Sequence, residues 1–131
     1  MDQDNEIPAD IKRFILRSID SVPHLEAILL FHSDPKAEWD AKMIAQRIYI
    51  SEKKAADILT ALHQSGFISA LPGHPPSYQY QAHSLELENM VALLAKIYAS
   101  HLIEVTNLIH SKIDKQAQQL GDAFKWQQDK E

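Results

Sequence analysis

Apolar residues recur along most of the chain at spacings of three and four, and the exceptions are as informative as the rule. Ile7, Ile11, Phe14, Ile15 and Ile19 follow one another at spacings of four, three, one and four, which puts them on one face of a helix. Pro8 suits the first turn of such a helix, where its missing N–H costs little. Lys12, Arg13 and Arg17 then lie outside or at the edge of the apolar side. Ser21 is an N-cap candidate for a second helix, with Pro23 in its first turn and the run LEAILLF apolar on several faces. A helix of that kind belongs in the centre of a domain. It ends before Pro35, because the residue preceding a proline is disfavoured in helical geometry, and a loop is expected from Asp34 to about Trp39.

The next two helices are short. Asp40 can cap AKMIAQRIY, whose Ile44 and Ile48 lie four apart beside the small Ala45. Tyr49 and Ile50 make the turn. Ser51 caps a longer helix with Ala55, Ile58, Leu59 and Leu62 facing inward, and Gly66 supplies the left-handed residue that stops it. Phe67 to Leu71 and Ser77 to Gln81 are short, partly apolar or aromatic, and flank PGHPP, so they read as a two-stranded hairpin with a proline-rich tip.

Helical periodicity returns at Ser84. Leu87, Met90, Val91, Leu94, Ile97, Tyr98, Leu102, Val105, Leu108 and Ile109 form a stripe wider than a two-position coiled-coil seam. At ~1.5 Å per residue a helix over 85–110 is roughly 39 Å long, more than a small domain can cover alone. The excess face predicts a partner. Ser111 with Asp114 resembles an imperfect capping box and predicts a break there, followed by a last helix with Ile113, Ala117, Leu120 and Phe124 on one side and Gly121 weakening it. The expected organisation is an N-terminal amphipathic helix over 1–20, a central domain over 21–83 and a helical extension over 84–131 that dimerises.

The composition narrows the chemistry. At 131 residues, 45% hydrophobic and 24% charged, the chain fits an ordinary globular domain, and with three glycines helix should dominate. The absence of cysteine excludes disulfides, thiolate metal sites and thiol nucleophiles. The start of the chain lacks the pattern of a signal peptide, and no run of apolar residues suits a membrane span, so a cytoplasmic protein is expected. The net charge of −5 repels nucleic acid over the surface as a whole. From Lys42 to Tyr80, however, four basic residues (Lys42, Arg47, Lys53, Lys54) face two acidic ones (Glu52, Asp57), so the net positive stretch coincides with the two short helices and the hairpin.

Ile44, Ala45, Ile48, Ile50, Ala55, Ile58 and Leu62 fall where the helix-turn-helix of bacterial regulators places its small and apolar residues. With the hairpin over 67–81, the chain resembles winged-helix proteins, and its long flanking helices resemble those of MarR-type dimeric regulators. The opening SV-x-x-LEA-x-LL from Ser21 to Leu30 is similar to that of short bacterial proteins. Tyr49 departs from the pattern, standing where glycine is common, and predicts a shifted turn. The resemblance implies a mainly α fold with a small β-hairpin and a homodimer that regulates transcription by binding double-stranded DNA. In such proteins the second helix of the motif enters the major groove, while the wing and helix ends touch phosphates. Carried onto this chain, the DNA-binding set is Lys42, Arg47, Ser51, Lys53, Lys54, Asp57, Thr60, Gln64 and His74. Lysine suits guanine or phosphate, glutamine suits adenine, and threonine suits base edges or a thymine methyl. The dimerisation set is Leu94, Ile97, Tyr98, His101, Val105, Leu108 and Phe124. Two-fold symmetry implies a palindromic site with half-sites about 34 Å apart.

Other readings carry weight beside this one. Lys53 and Asp57 are four apart and can form a plain surface ion pair. The segment from Ser69 to Gln81 holds no lysine or arginine, with His74 its sole candidate cation, which favours a winged-helix protein-interaction module as the alternative function. Enzymatic chemistry is not expected, since no phosphate loop or serine nucleophile motif is present. No metal or cofactor is expected either: the seven histidines (His24, His32, His63, His74, His83, His101 and His110) form no i, i+4 pair, and His101 with Glu104 makes a poor ligand set alone. Tyr98, His101 and Trp39 could line an effector cleft, but no effector is assigned.

Overall fold

Four hydroxyl or carboxylate side chains fix where the helices begin. Ser21 Oγ accepts the His24 N–H at 3.2 Å, Asp40 Oδ1 that of Met43 at 2.9 Å, Ser51 Oγ that of Lys54 at 3.0 Å and Ser84 Oγ that of Leu87 at 3.1 Å. Each such cap contributes about 1 kcal/mol. In the computed structural model, which describes residues 7–129 and side chains as far as Asp122, the elements run α1 (Ala9–Ser18), α2 (Val22–Ser33), β1 (Glu38–Asp40), α3 (Ala41–Ile48), α4 (Glu52–Gln64), β2 (Ile68–Leu71), β3 (Ser77–Tyr80), α5 (Leu85–Ser100) and α6 (Leu102–Asp129). The chain is mainly helical with a small antiparallel sheet, as the apolar pattern predicts.

The helix pair α3–α4 is joined by Tyr49, which sits in the left-handed region at φ 60°, ψ 51°. Its N–H and that of Ile50 both reach the Ala45 carbonyl. The tyrosine thus takes the geometry a glycine would take, and the turn is not shifted; the correction carries the steric cost of a Cβ in that region. Gly66, at φ +82°, ends α4 in the expected way: its N–H donates to His63 and the Phe67 N–H to Leu62.

The sheet has three strands rather than two, in the order β1-β3-β2. Glu38–Asp40, expected to be part of a loop, pairs antiparallel with β3, and Trp39 stands opposite Tyr78. Three residues give no readable alternation; the strand forms because β3 has a free edge and Asp40 must arrive there to cap α3. On the other side Ile68 faces Tyr80 and Leu71 faces Ser77. The hairpin tip between them contains the exposed Pro72, Gly73, His74, Pro75 and Pro76.

The C-terminal helices correct two further expectations. The long helix breaks at His101 (φ −130°, ψ 43°), not near Ser111, and α6 then runs without interruption through Ser111 and Gly121. Ser100 Oγ lies 3.3 Å from the Lys96 carbonyl, 3.4 Å from that of Ile97 and 2.8 Å from His101 Nδ1. A serine hydroxyl that bonds back to its own helix competes with the main-chain ladder. The bend lets α5 and α6 approach α1 together. Val91, Leu94 and Ile97 of α5 and Val105 and Ile109 of α6 are buried in one core with Ile11 and Ile15 of α1, Leu25, Ile28 and Phe31 of α2, Ile44 of α3 and Leu59 and Leu62 of α4. Lys112 Nζ donates to the Ile19 carbonyl at 3.0 Å, which anchors α6 to the junction between α1 and α2. Past that anchor the apolar face of α6 continues but is uncovered: Leu120 is 74% exposed and Ile113 38%.

Candidate nucleic-acid interface

Helix α4 buries Ala55, Ile58, Leu59 and Leu62 against the core, and this fixes what it presents to solvent. Lys53, Lys54, Ala56, Asp57, Thr60 and Gln64 are all exposed. The two sides of this face meet different neighbours. Lys53, Ala56 and Thr60 look toward the wing, lining with Ala41, Glu52, Leu59, Pro75, Pro76 and Tyr78 a groove of about 490 Å³. Lys54, Asp57, Ile58 and Ala61 look toward the start of α2, lining with Asp20, Ser21 and His24 a second hollow of about 270 Å³.

That division decides one of the alternatives raised by the sequence. Lys53 and Asp57 form no ion pair; among the described residues the one Lys or Arg ion pair is Lys112 with Asp20 at 3.7 Å, and His32 Nε2 lies 3.8 Å from Glu88 Oε1. Both α4 lysines therefore stay available to an outside anion, at the end of the helix where the free N–H groups and the dipole also favour negative charge. Ser51 is committed to its cap on Lys54. Thr60 donates its hydroxyl proton to the Ala56 carbonyl at 3.0 Å. Its side chain consequently offers a methyl group and an acceptor rather than a donor.

The other predicted DNA contacts are less concentrated. Lys42 and Gln64 are exposed on α3 and at the end of α4, and His74 is exposed at the wing tip. Arg47 lines neither hollow of the α4 face. It lies in a separate cleft of about 430 Å³ between α2, α3 and α5, with Glu26, Leu29, Leu30, Ser33, Ile48 and Tyr98. Burial, followed by the charge of Glu26, raises the Tyr98 phenol above its usual range, against a hydrogen bond with Thr106 that lowers it. Of the three residues suggested for an effector cleft, Tyr98 lines this one, whereas His101 and Trp39 do not.

The groove residues Ala41, Glu52, Pro75, Pro76 and Tyr78 were not assigned to the interface from the sequence. The proline-rich tip was read there as a turn signal, and its return onto α4 depends on the packing of β3 between two strands. Of the residues expected at a dimer seam, Leu94 and Val105 are fully buried and Ile97 nearly so in the chain's own core, which leaves them little surface to offer a second copy. Tyr98, His101 and Leu108 are half-buried, and Phe124 lies outside the residues whose side chains are described. The apolar side chains left exposed on α5 and α6 include Leu93, Leu102, Ile103, Ile113 and Leu120.

No helix among the described residues is long and apolar enough to cross a membrane, and no group of three or more His, Asp and Glu among them is placed to hold a metal ion. No protein-family model matches the sequence, and no curated protein is detectably similar to it. Solved structures do share its architecture. Reduced HlyU from Vibrio cholerae N16961 superposes with a TM-score of 0.52 at 16% identity, covering 69% of this chain and 90% of that one. The heme sensor protein PefR from Streptococcus agalactiae, in complex with heme, does so with a TM-score of 0.51 at 17% identity, covering 86% of this chain and 79% of that one. The order of helices, the left-handed turn between α3 and α4, the proline-tipped hairpin and these superpositions agree: the chain has a winged helix-turn-helix fold.

Proposed function

We propose that the chain is a DNA-binding transcriptional regulator of the winged-helix type, acting as a cytoplasmic, non-enzymatic homodimer. The observation that supports this reading best is the outward face of α4, where Lys53 and Lys54 have no acidic partner within ion-pair distance among the described residues and small side chains between them and the wing leave room for close approach. Cations at the helix start hold phosphates and set the register, while the middle of the helix meets base edges. The uncovered apolar stripe on α6, continued by Ile113 and Leu120 beyond the protomer core, supports a homodimer formed by that part of the helix. Two copies of α4 related by a two-fold axis then read a palindrome with half-sites about 34 Å apart.

Binding to a genomic DNA pool over a salt series tests the reading. A specific regulator retains a limited set of sequences and loses affinity as salt rises; no retention at low salt would sink it. Sedimentation at micromolar concentration tests the dimer, and a monomer there counts against the α6 stripe as a seam.

One observation favours a second function for the same fold. The wing has no lysine or arginine from Ser69 to Gln81, so its hold on phosphate is weak, and an interaction module that grips another protein through the groove beside Pro75 and Pro76 fits that composition. Failure of the DNA selection with an intact dimer would point to it.

A further inference from the structure

We infer that the cleft between α2, α3 and α5 binds a small apolar zwitterion, an amino acid or dipeptide with free ammonium and carboxylate groups. The site is separate from the α4 face and does not depend on DNA binding. Glu26, Leu29, Leu30 and Ser33 recur at spacings of three, one and three, so α2 presents them along one face. Leu29 and Leu30 are half-buried against the core, as are Ile48 at the end of α3 and Tyr98 of α5, and together they give the cleft an apolar floor. Its volume of about 430 Å³ lies in the range of small-molecule sites. Opposite charges reach it from two helices, Glu26 from α2 and Arg47 from α3. They line the same cleft without pairing with each other, and among the described residues neither has another partner within ion-pair distance.

Each charge selects against a ligand that satisfies only the other. An anion drawn to Arg47 is repelled by Glu26, and a cation drawn to Glu26 is repelled by Arg47, beside an apolar surface that weakens screening by water. A zwitterion meets both. Its carboxylate suits the planar fork of the guanidinium, its ammonium suits the Glu26 carboxylate, and its apolar body covers Leu29, Leu30 and Ile48. Two hydroxyls add to this. Ser33 Oγ donates its proton to the Leu30 carbonyl at 2.7 Å and so faces a ligand as an acceptor, which suits an ammonium. Burial, and after it the charge of Glu26, holds the Tyr98 phenol above its usual range against a hydrogen bond with Thr106, so the phenol stays a donor at neutral pH. Because its walls belong to α2, α3 and α5, an occupant of the cleft bridges the first helix of the helix-turn-helix and the C-terminal arm.

The test titrates leucine, leucyl-leucine, N-acetylleucine and leucinamide into the full chain, followed by calorimetry and by NMR of the Leu29, Leu30 and Ile48 methyl groups. Leucine or the dipeptide should shift those methyls at millimolar concentration, the better of the two being the one whose charges span Glu26 and Arg47. N-acetylleucine, which lacks the ammonium, and leucinamide, which lacks the carboxylate, should bind at least about tenfold more weakly. Glu26→Gln and Arg47→Gln should each weaken the zwitterion by about tenfold, with urea unfolding to show that both variants fold. Glu26→Lys and Arg47→Glu should each remove binding singly and restore it together, since the reversed pair accepts the same ligand turned end for end. No shift with either zwitterion at millimolar concentration overturns the inference. Equal binding of N-acetylleucine would make the cleft a site for plain anions and overturns it as well. A zwitterion that binds both glutamine variants as tightly as the parent sits elsewhere on the protein, which removes the assignment to this cleft.

Discussion

Lys112 and Ile19 stand 93 positions apart in sequence, yet the Lys112 ammonium donates to the Ile19 carbonyl at 3.0 Å. The lysine side chain is 13% exposed, and its second partner, Asp20, is 73% exposed at 3.7 Å. The buried charged hydrogen bond is therefore the stronger of the two contacts, and the ion pair, screened by water, adds little. It fastens the α5–α6 arm to the lobe that carries the helix-turn-helix. Lys112→Ala should cost about 1–2 kcal/mol in urea unfolding, whereas Asp20→Asn should cost less than about 0.5 kcal/mol. Equal losses would show that the pair, not the carbonyl, holds the arm.

His24 lies beside this contact, buried at the start of α2, where its Nδ1 accepts the Asp20 N–H at 3.3 Å. Burial lowers its pKa below the ordinary 6.5; the Asp20 carboxylate acts against that and the Lys112 ammonium with it. The neutral ring is thus the folded form. The unfolded chain binds the proton more readily, so stability is fully present above pH about 6.5 and declines as pH falls from there toward the folded-state pKa. Urea midpoints measured between pH 7.5 and 5.5 should fall in the parent, and the fall should be smaller in His24→Gln, which keeps an acceptor for Asp20.

Gly66 is held in left-handed geometry with the His83 ring against it, and a Cβ there would fall onto the ring carbons. The His83 main-chain N–H also donates to the Gly66 carbonyl at 2.8 Å, which holds the His83 backbone beside the glycine, so relief of the clash requires the ring to turn away. Gly66→Ala should destabilise by about 2–3 kcal/mol, from backbone strain and the clash together. His83→Ala in the same chain should return part of it.

Tyr49 presents the opposite case. Its ring is 92% exposed and its φ is 60°, so the protein carries strain there that no packing offsets. Tyr49→Gly should raise stability by about 0.5–1 kcal/mol, the relief of strain less the entropy glycine loses on folding. A loss of stability would show that the ring makes a contact that its exposure hides.

Replacing Lys53 and Lys54 by alanine should weaken DNA binding without unfolding the protein, because neither side chain is buried. If both neutralise phosphates, the slope of log affinity against log salt should fall by about two. An unchanged slope would place the interface on another face of the molecule.

How much of this was legible beforehand depends on the distance over which the signal acts. The caps at Ser21, Asp40 and Ser51, the stop at Gly66 and the proline-tipped hairpin are matters of three or four neighbouring residues, and they were readable as such. So was the inward face of α4, whose periodicity also names its outward one. The candidate interface was therefore half visible: its lysines and Thr60 follow from helical spacing, but the wing residues that face them do not.

The remainder required the folded chain. Glu38–Asp40 becomes a strand because β3 offers an edge 37 to 41 residues away, a partner that no local pattern announces. Leu94, Ile97 and Val105 look like a subunit seam in a linear stripe, yet the bend at His101 and the arrival of α1 and α2 bury them within one protomer and leave Ile113 and Leu120 uncovered instead. Lys53 and Asp57 are near neighbours on paper and face different hollows in space. The sequence by itself determined the helices, their caps and the helix-turn-helix, since hydrogen bonds and periodicity over a few residues suffice for those. Which apolar faces meet, which remain bare and which charges stay unpaired was decided only by tertiary structure, because these depend on contacts between segments far apart in the chain.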